Sequence, residues 1–434
     1  MLVVRAYITF VPGPEENMRR SGRFLSFAIS ASSLFLLSAA TVFAAQKPKT
    51  LHAFETHAND GSSVYSSLTQ DAAGNLYGAT VDGGRYGDGI VFELSPTASG
   101  PWKETILYSF KGGINDGANP QAGPVFDGEG NLIGTTVRGG LSAKSCNAGC
   151  GIVYKLAPPT NGGSWTETVL HEFSGTVTDG ASAYAGVVLD SAGNVYGATI
   201  AGGAKGSGVV YELSPASGGW QETVLYNFGG KPDGASPYAA LTFDDAGNLY
   251  GTTYEGGDQN AGTVYELTHS SGGWIEQILY SFKGGSDGDE LFAGVILDQA
   301  GNLYGTTTEG GTQRVGTAFE LVAAEGWKKT ILHQFLGLSF GDGANPNGLV
   351  FDAHGNLYGT TVGGGKFNPG TIFRLTPTAN GWKEAVLYSF TGGNDGAYPS
   401  ASPVMDAAGH LYGTTLWGGP AGDTVGGVAF EFVP

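Results

Sequence analysis

The stretch DAAGNLYGATVDGG, Asp71 to Gly84, decides how the rest of the chain is read. Its opening, D-x-x-G-N-L-Y-G, returns in close copies with the Asp at 71, 127, 190, 244, 298, 352 and 406, at intervals of 56, 63, 54, 54, 54 and 54 residues. The one long interval coincides with extra loop residues around Cys146 and Cys150. Self-similarity at a fixed period marks a fold made by stacking one supersecondary unit. Within the unit, an Asp side chain accepts backbone N–H bonds and a Gly supplies positive φ, so D-x-x-G-N reads as a hairpin turn and not as a catalytic signature.

Four short apolar segments, each bounded by Gly, Pro, Asn, Asp or Ser, fill one period. In the fourth copy they are AALTFD (239–244), NLYGTTY (248–254), GTVYELT (262–268) and WIEQILYSF (274–282). They are too short for typical helices, and the near-continuous apolar character of the first three suits sheets covered on both faces. Gly supplies 75 of 434 residues while aromatics hold at 12%, a composition that excludes a disordered or collagen-like chain. Seven such units predict an all-β fold, a seven-bladed β-propeller of four-stranded blades, with a β-helix or a string of small domains as the alternative. The segment before each repeat Asp opens with small residues, such as Ala185-Gly186 and Ala239-Ala240, which places it innermost, around a crowded channel. In that phase the last unit, ending GGVAFEFVP, lacks an outer strand. TLHAFE at 50–55 aligns with TILYSFK at 105–111, so the N-terminal strand is expected to complete the last blade and close the ring.

Residues 1–45 read as a secretory signal peptide: Arg19, Arg20 and Arg23 precede an apolar run from Phe24 to Ala40, and Val42-Phe43-Ala44 offers the small residues of a cleavage site. Met1 to Asn17 fit no part of it, which makes Met18 a candidate start. Residues 46–434 then form a single propeller domain, exported to the periplasm, the cell envelope or the medium. No later segment is long and apolar enough to span a bilayer, so no membrane insertion is expected after cleavage. A net charge of −18 without any basic cluster excludes nucleic acid and anionic lipid as partners. A monomer is expected.

The recurring W-x-E-T-x-L-Y-S-F, D-G-A-x-P, D-x-x-G-N-L-Y-G-T-T, G-G and G-T-V-F-E-L, over roughly residues 50 to 434, resembles the GloVer tandem repeat of bacterial "choice-of-anchor" secreted proteins. The resemblance implies an exported bacterial repeat protein. It brings no established reaction, and the family's C-terminal surface anchors have no counterpart in the residues up to Pro434.

In a propeller, loops entering each inner strand and loops joining the second and third strands share the face around the channel mouth, the default place for a ligand. Here those are the D-G and G-G loops. The D-G loops carry Asp60, Asp116, Asp179, Asp233, Asp287, Asp342 and Asp395. As a ring they offer a cation such as calcium a site, but they lack D-x-D-x-D spacing, and Asp before Gly is ordinary turn chemistry, so no metal or other cofactor is expected. Five residues beyond each Asp the repeat varies: Tyr65, Gln121, Tyr184, Tyr238, Phe292, Asn347 and Ser400. The aromatic members suit sugar rings or protein side chains, or else wedge between blades. The G-G loops add Arg138 and Trp417, the latter being the one Trp outside the outer-strand position. Cys146 and Cys150 are expected to close a small loop disulfide.

For catalysis the histidines are poorly placed. His52, His171 and His333 replace Tyr at one outer-strand position, and only His57, beside Asp60, approaches the loop face. These residues favour a non-enzymatic module that binds a glycan or a protein through Tyr65, Tyr184, Tyr238, Phe292, Arg138 and Trp417. The competing classes are an extracellular polysaccharide lyase, hydrolase or lactonase with a site at the channel mouth, and a purely structural surface-layer component.

Overall fold

A computed structural model describes residues 46–434 apart from 56, 58, 99–100, 145, 161 and 421–425. The signal peptide of residues 1–45 and the candidate start Met18 lie outside the described residues. The fold is a seven-bladed β-propeller with four-stranded blades. In blade four the strands run outward in sequence order: Thr242–Phe243, Leu249–Thr253, Thr263–Ser270 and Gly273–Ser281.

The repeated turn forms as its residues dictate. In the first copy Asp71 Oδ1 accepts the N–H groups of Ala73 and Asn75 at 2.9 Å, the Asn75 amide donates to Asp71 Oδ2 at 2.8 Å, and Gly74 holds φ +86°. These bonds to the ionised carboxyl hold Asp71 below the usual carboxylate range in spite of its partial burial.

A recurring aromatic pair fastens each blade to the next. The third strand carries a Phe or Tyr that lies over the Gly of L-Y-G on the second strand; a Cβ added at Gly305 would sit 2.7 Å from the Phe319 ring. The same ring meets the Phe that ends the preceding blade's outer strand, as in Phe110–Tyr154 at 5.2 Å and Phe282–Phe319 at 5.1 Å. Seven such pairs recur, all fully buried, and they form the inter-blade core. Nearer the axis the first Thr of G-T-T donates to the next blade's inner strand: Thr252 to the Ala293 carbonyl and Thr360 to that of Ala401, both at 3.0 Å.

The N-terminal strand closes the ring. Lys49–Ala53 pairs antiparallel with Val428–Phe432, with Lys49 opposite Glu431 and Ala53 opposite Val428. Phe54 stacks on Phe92 of blade one at 5.0 Å, and Thr414 donates to the Ser66 carbonyl at 2.8 Å.

The innermost strand differs from a continuous segment such as 239–244. In blade four it is two short pieces, Gly234–Ala235 paired with Glu255–Gly256, and Thr242–Phe243 paired with Leu249 and Tyr250. Ser236, at φ +55° and followed by Pro237, breaks the ladder between them. An equivalent kink falls three residues after the D-G Asp in every blade, from Ser63 to Tyr398. Its N–H is not lost: Ser236 donates to the Ser207 carbonyl and Asn345 to that of Val315, both in the preceding blade.

Candidate ligand-binding site at the channel mouth

The D-G and G-G loops do share one face. Gly61–Ser62 pairs with Asp82–Gly83, Gly84 N–H donates to the Asp60 carbonyl at 2.9 Å, and other blades repeat the arrangement. The D-G aspartates fasten these loops. Asp116 Oδ1 accepts Gly117 N–H at 2.8 Å, while Oδ2 accepts Lys111 N–H at 3.1 Å and the Tyr108 hydroxyl at 3.2 Å. Asp233 and Asp342 are tied in the same way, so each carboxylate is turned into its own loop.

Past each kink the chain enters a central cavity of ≈ 740 Å³. All seven variable positions line it: Tyr65, Gln121, Tyr184, Tyr238, Phe292, Asn347 and Ser400. Below them the wall consists of small and aliphatic residues, among them Ala122, Gly186, Ala240, Val295 and Leu349. Asp, Glu, Lys, Arg and His are absent from the described lining.

Four rings form a contiguous arc. Tyr184 meets Tyr238 edge-on at 5.1 Å, Tyr238 meets Phe292 at 5.1 Å, and Tyr254 closes on Phe292 at 4.6 Å. Tyr65 and Phe292 keep 39% and 46% of their surface exposed, far more than the fully buried inter-blade rings. Burial pushes the Tyr65 and Tyr238 hydroxyls above the ordinary tyrosine value, with Asp82 adding to it at Tyr65, so both stay protonated and able to donate at neutral pH. On the far side, Asn347 donates to Thr360 Oγ1 at 3.0 Å and to the Pro399 carbonyl at 2.8 Å.

The structure does not bring Arg138 or Trp417 into this wall. Arg138 lies exposed in the short pair with Ala118. Trp417, at the end of Leu411–Trp417, packs edge-on against Tyr398 at 5.3 Å, and it is Tyr398 that lines the cavity. Cys146 and Cys150 are disulfide-bonded in a separate loop. Tyr254 and Tyr398 are functional candidates that the reading of the inner strand alone missed. The signal was a Tyr where the other repeats have Val81, Val137, Ile200, Thr308, Val362 or Leu416, and a Tyr at a kink held elsewhere by Ser, Asn or Glu.

A model of the Gloeobacter/Verrucomicrobia repeat matches residues 140–341 and 328–434. The chain belongs to this repeat family. No curated protein matches it in sequence. Among solved structures it is similar to a gluconolactonase from Xanthomonas campestris, at 13% identity over 75% of this chain and 99% of that one, with a TM-score of 0.37. It is also similar to an oxidoreductase described as a glucose dehydrogenase from Thermus thermophilus, at 13% identity over 89% and 99% of the two chains, with a TM-score of 0.40.

Within this Gloeobacter/Verrucomicrobia repeat a second polar feature recurs, outside the cavity and between blades. A Tyr or His of one outer strand, the D-G Asp that follows it, and the Glu of W-x-E on the next outer strand meet in one slot. Between blades one and two, Tyr108 donates to Glu167 Oε2 at 2.8 Å beside Asp116. Burial, followed by the neighbouring Asp116, pushes the Glu167 carboxyl up to about 7, and Glu276 beside Asp233 and Tyr226 is pushed up to about 7 for the same reasons. Between blades four and five the Glu position holds Lys329, whose ammonium lies 2.6 Å from Asp287 Oδ1. Three slots contain His, and their donor atoms lie close enough to take a metal ion: His52, His57, Asp60 and Glu104; His171, Asp179 and Glu222; His333, Asp342 and Glu384.

Proposed function

We propose that the protein is an exported, non-enzymatic binding module that captures a neutral glycan at the channel mouth. The observation that carries this reading is the aromatic arc of Tyr184, Tyr238, Phe292 and Tyr254 on the edge of a cavity lined by amides, hydroxyls and small apolar groups without a charged side chain among the described residues. Pyranose faces stack on such rings, and their hydroxyls pair with groups of the kind offered by Gln121, Asn347 and Ser400. A cavity of ≈ 740 Å³ matches a short oligosaccharide segment in size. Acid–base or metal-assisted hydrolysis needs a titrating or ligating group beside the substrate, and among the described residues of this wall the titrating side chains are tyrosines. Export is supported by the basic-then-apolar pattern of residues 1–45.

A glycan array probed with residues 46–434 and with the triple variant Tyr184→Ala, Tyr238→Ala, Phe292→Ala tests the reading. Retention of a neutral glycan by the parent and its loss in the triple variant, with an unchanged unfolding midpoint, is the expected result. Capture of a protein alone would move the ligand class. Turnover of a polysaccharide or lactone that a single substitution in the cavity wall abolishes would replace binding by catalysis.

A further inference from the structure

We propose that the slot between the closing N-terminal strand and blade one is a binding site for a zinc-type divalent ion, held by His52, His57, Asp60 and Glu104. Three elements deliver these side chains. His52 lies in the strand Lys49–Ala53, His57 and Asp60 in the D-G loop that follows, and Glu104 in the outer strand of blade one, Lys103–Ser109.

The spacing fits one ion. His57 Nε2 lies 3.1 Å from Glu104 Oε2 and 3.8 Å from Asp60 Oδ2, and His52 Nε2 lies 3.5 Å from Asp60 Oδ1 and 3.7 Å from Glu104 Oε1. One donor atom from each residue falls within 4.8 Å of the rest. Tetrahedral zinc with nitrogen and oxygen ligands near 2.1 Å separates its donors by about 3.4 Å, inside the observed spread. Two neutral imidazoles and two carboxylates also give a divalent ion a site of zero net charge.

The slot itself calls for positive charge. The Asp60 and Glu104 side chains are 1% and 5% exposed, and Glu104 Oε1 is buried without a hydrogen-bond partner. Removing two adjacent carboxylates from water is costly unless a cation or a proton is shared between them. Between blades four and five the fold supplies that cation as Lys329 against Asp287. Orphan Oε1 atoms recur at Glu167, Glu222, Glu276 and Glu384, but among the described residues the donor groups at Glu222 and Glu384 have three members with one imidazole each, and Glu167 and Glu276 belong to no such group. His57 is what completes a four-donor set at this one slot. His52 is steadied for the task by its edge-on contact with Phe54 at 4.7 Å. An ion here ties the closing strand to blade one and leaves its other edge free to pair with Val428–Phe432.

The test compares the full chain, purified without a histidine tag, with the variants His52→Tyr, His57→Ala and His171→Tyr. Tyrosine already occupies the His52 position in other blades, at Tyr108 and Tyr226, so His52→Tyr keeps the packing. Elemental analysis after dialysis against zinc is expected to find about one equivalent per chain in the parent and in His171→Tyr, and almost none in the other two. A chelator is expected to lower the parent's unfolding midpoint to that of His52→Tyr and to leave His52→Tyr unmoved. Absence of zinc from the parent, or zinc content and midpoint unaffected by both His52→Tyr and His57→Ala, would overturn the proposal.

Discussion

Replacing Glu167 and Glu276 by glutamine isolates the energetic character of the inter-blade slots. Each carboxyl is pushed up to about 7 from an ordinary value of 4.5, first by burial and then by the adjacent Asp116 or Asp233, against smaller opposing effects of the Tyr108 and Tyr226 hydroxyls and of Lys111 and Lys205. The folded chain therefore holds a proton that the unfolded chain has released. Stability from this source is full below pH 4.5 and is lost as pH rises through about 7. The gap corresponds to roughly 3 kcal/mol per carboxyl at complete burial, and the slots' partial exposure reduces it to about 1–2 kcal/mol. Glutamine has the shape of the protonated acid and does not titrate. The double variant is expected to match the parent at pH 5 and to exceed it by about 2–4 kcal/mol at pH 8, because the two slots share no residue and their effects add. Equilibrium unfolding in urea at the two pH values reads this directly. A variant weaker than the parent at pH 8 would mean that the folded slots stabilise the ionised glutamates instead of penalising them, and the reasoning would fail.

Three further outcomes follow from the packing between blades. Tyr154, Tyr211 and Tyr265 have buried hydroxyls without a hydrogen-bond partner, where the other blades have Phe92, Phe319, Phe373 and Phe430. Changing each Tyr to Phe should raise stability by ~1 kcal/mol, and a loss in denaturant titration would reveal a water joining the hydroxyl to the nearby Glu. Gly305→Ala drives a methyl against the Phe319 ring and should cost about 1–3 kcal/mol, which a lowered calorimetric midpoint would register and an unchanged one would contradict. Phe54→Ala empties the closing blade's share of the aromatic core and should cost about 3–5 kcal/mol; a near-neutral result would show that the N-terminal strand does not close the ring.

The wheel was legible because its main contacts are local or periodic. The Gly of L-Y-G and the aromatic of G-T-V-F-E-L are cross-strand neighbours, as Gly305 and Phe319 are, so both appear in one repeat and at a fixed offset. The cavity wall was legible in part: variation at a fixed position found Tyr65, Tyr184, Tyr238 and Phe292, all of which line the cavity. Tyr254 follows the second strand, Leu249–Thr253, and so belongs to a different part of the repeat from the variable position. The neutrality of the wall was hidden, because the charged D-G loops lie beside it in sequence yet turn their carboxylates into their own backbones, as Asp116 does. The slots were illegible for another reason. Tyr108 meets Glu167 across 59 residues and two blades, so no single repeat contains the group. Lys329 in place of the Glu of W-x-E is the one trace of the slots in the sequence, and its partner Asp287 lies in a different repeat segment.

The closing blade has an evolutionary and engineering corollary. Its contacts copy those of the six blades with unbroken chain: Phe54–Phe92 lies at 5.0 Å where Phe110–Tyr154 lies at 5.2 Å. The two ends are cross-strand neighbours, Lys49 facing Glu431, a gap that the hairpin from Ser270 to Gly273 bridges in blade four. Which blade contains the break is therefore a matter of gene order and not of energetics. A circular permutant that joins these ends through a Gly-rich hairpin and opens at Ser271 should assemble the same wheel.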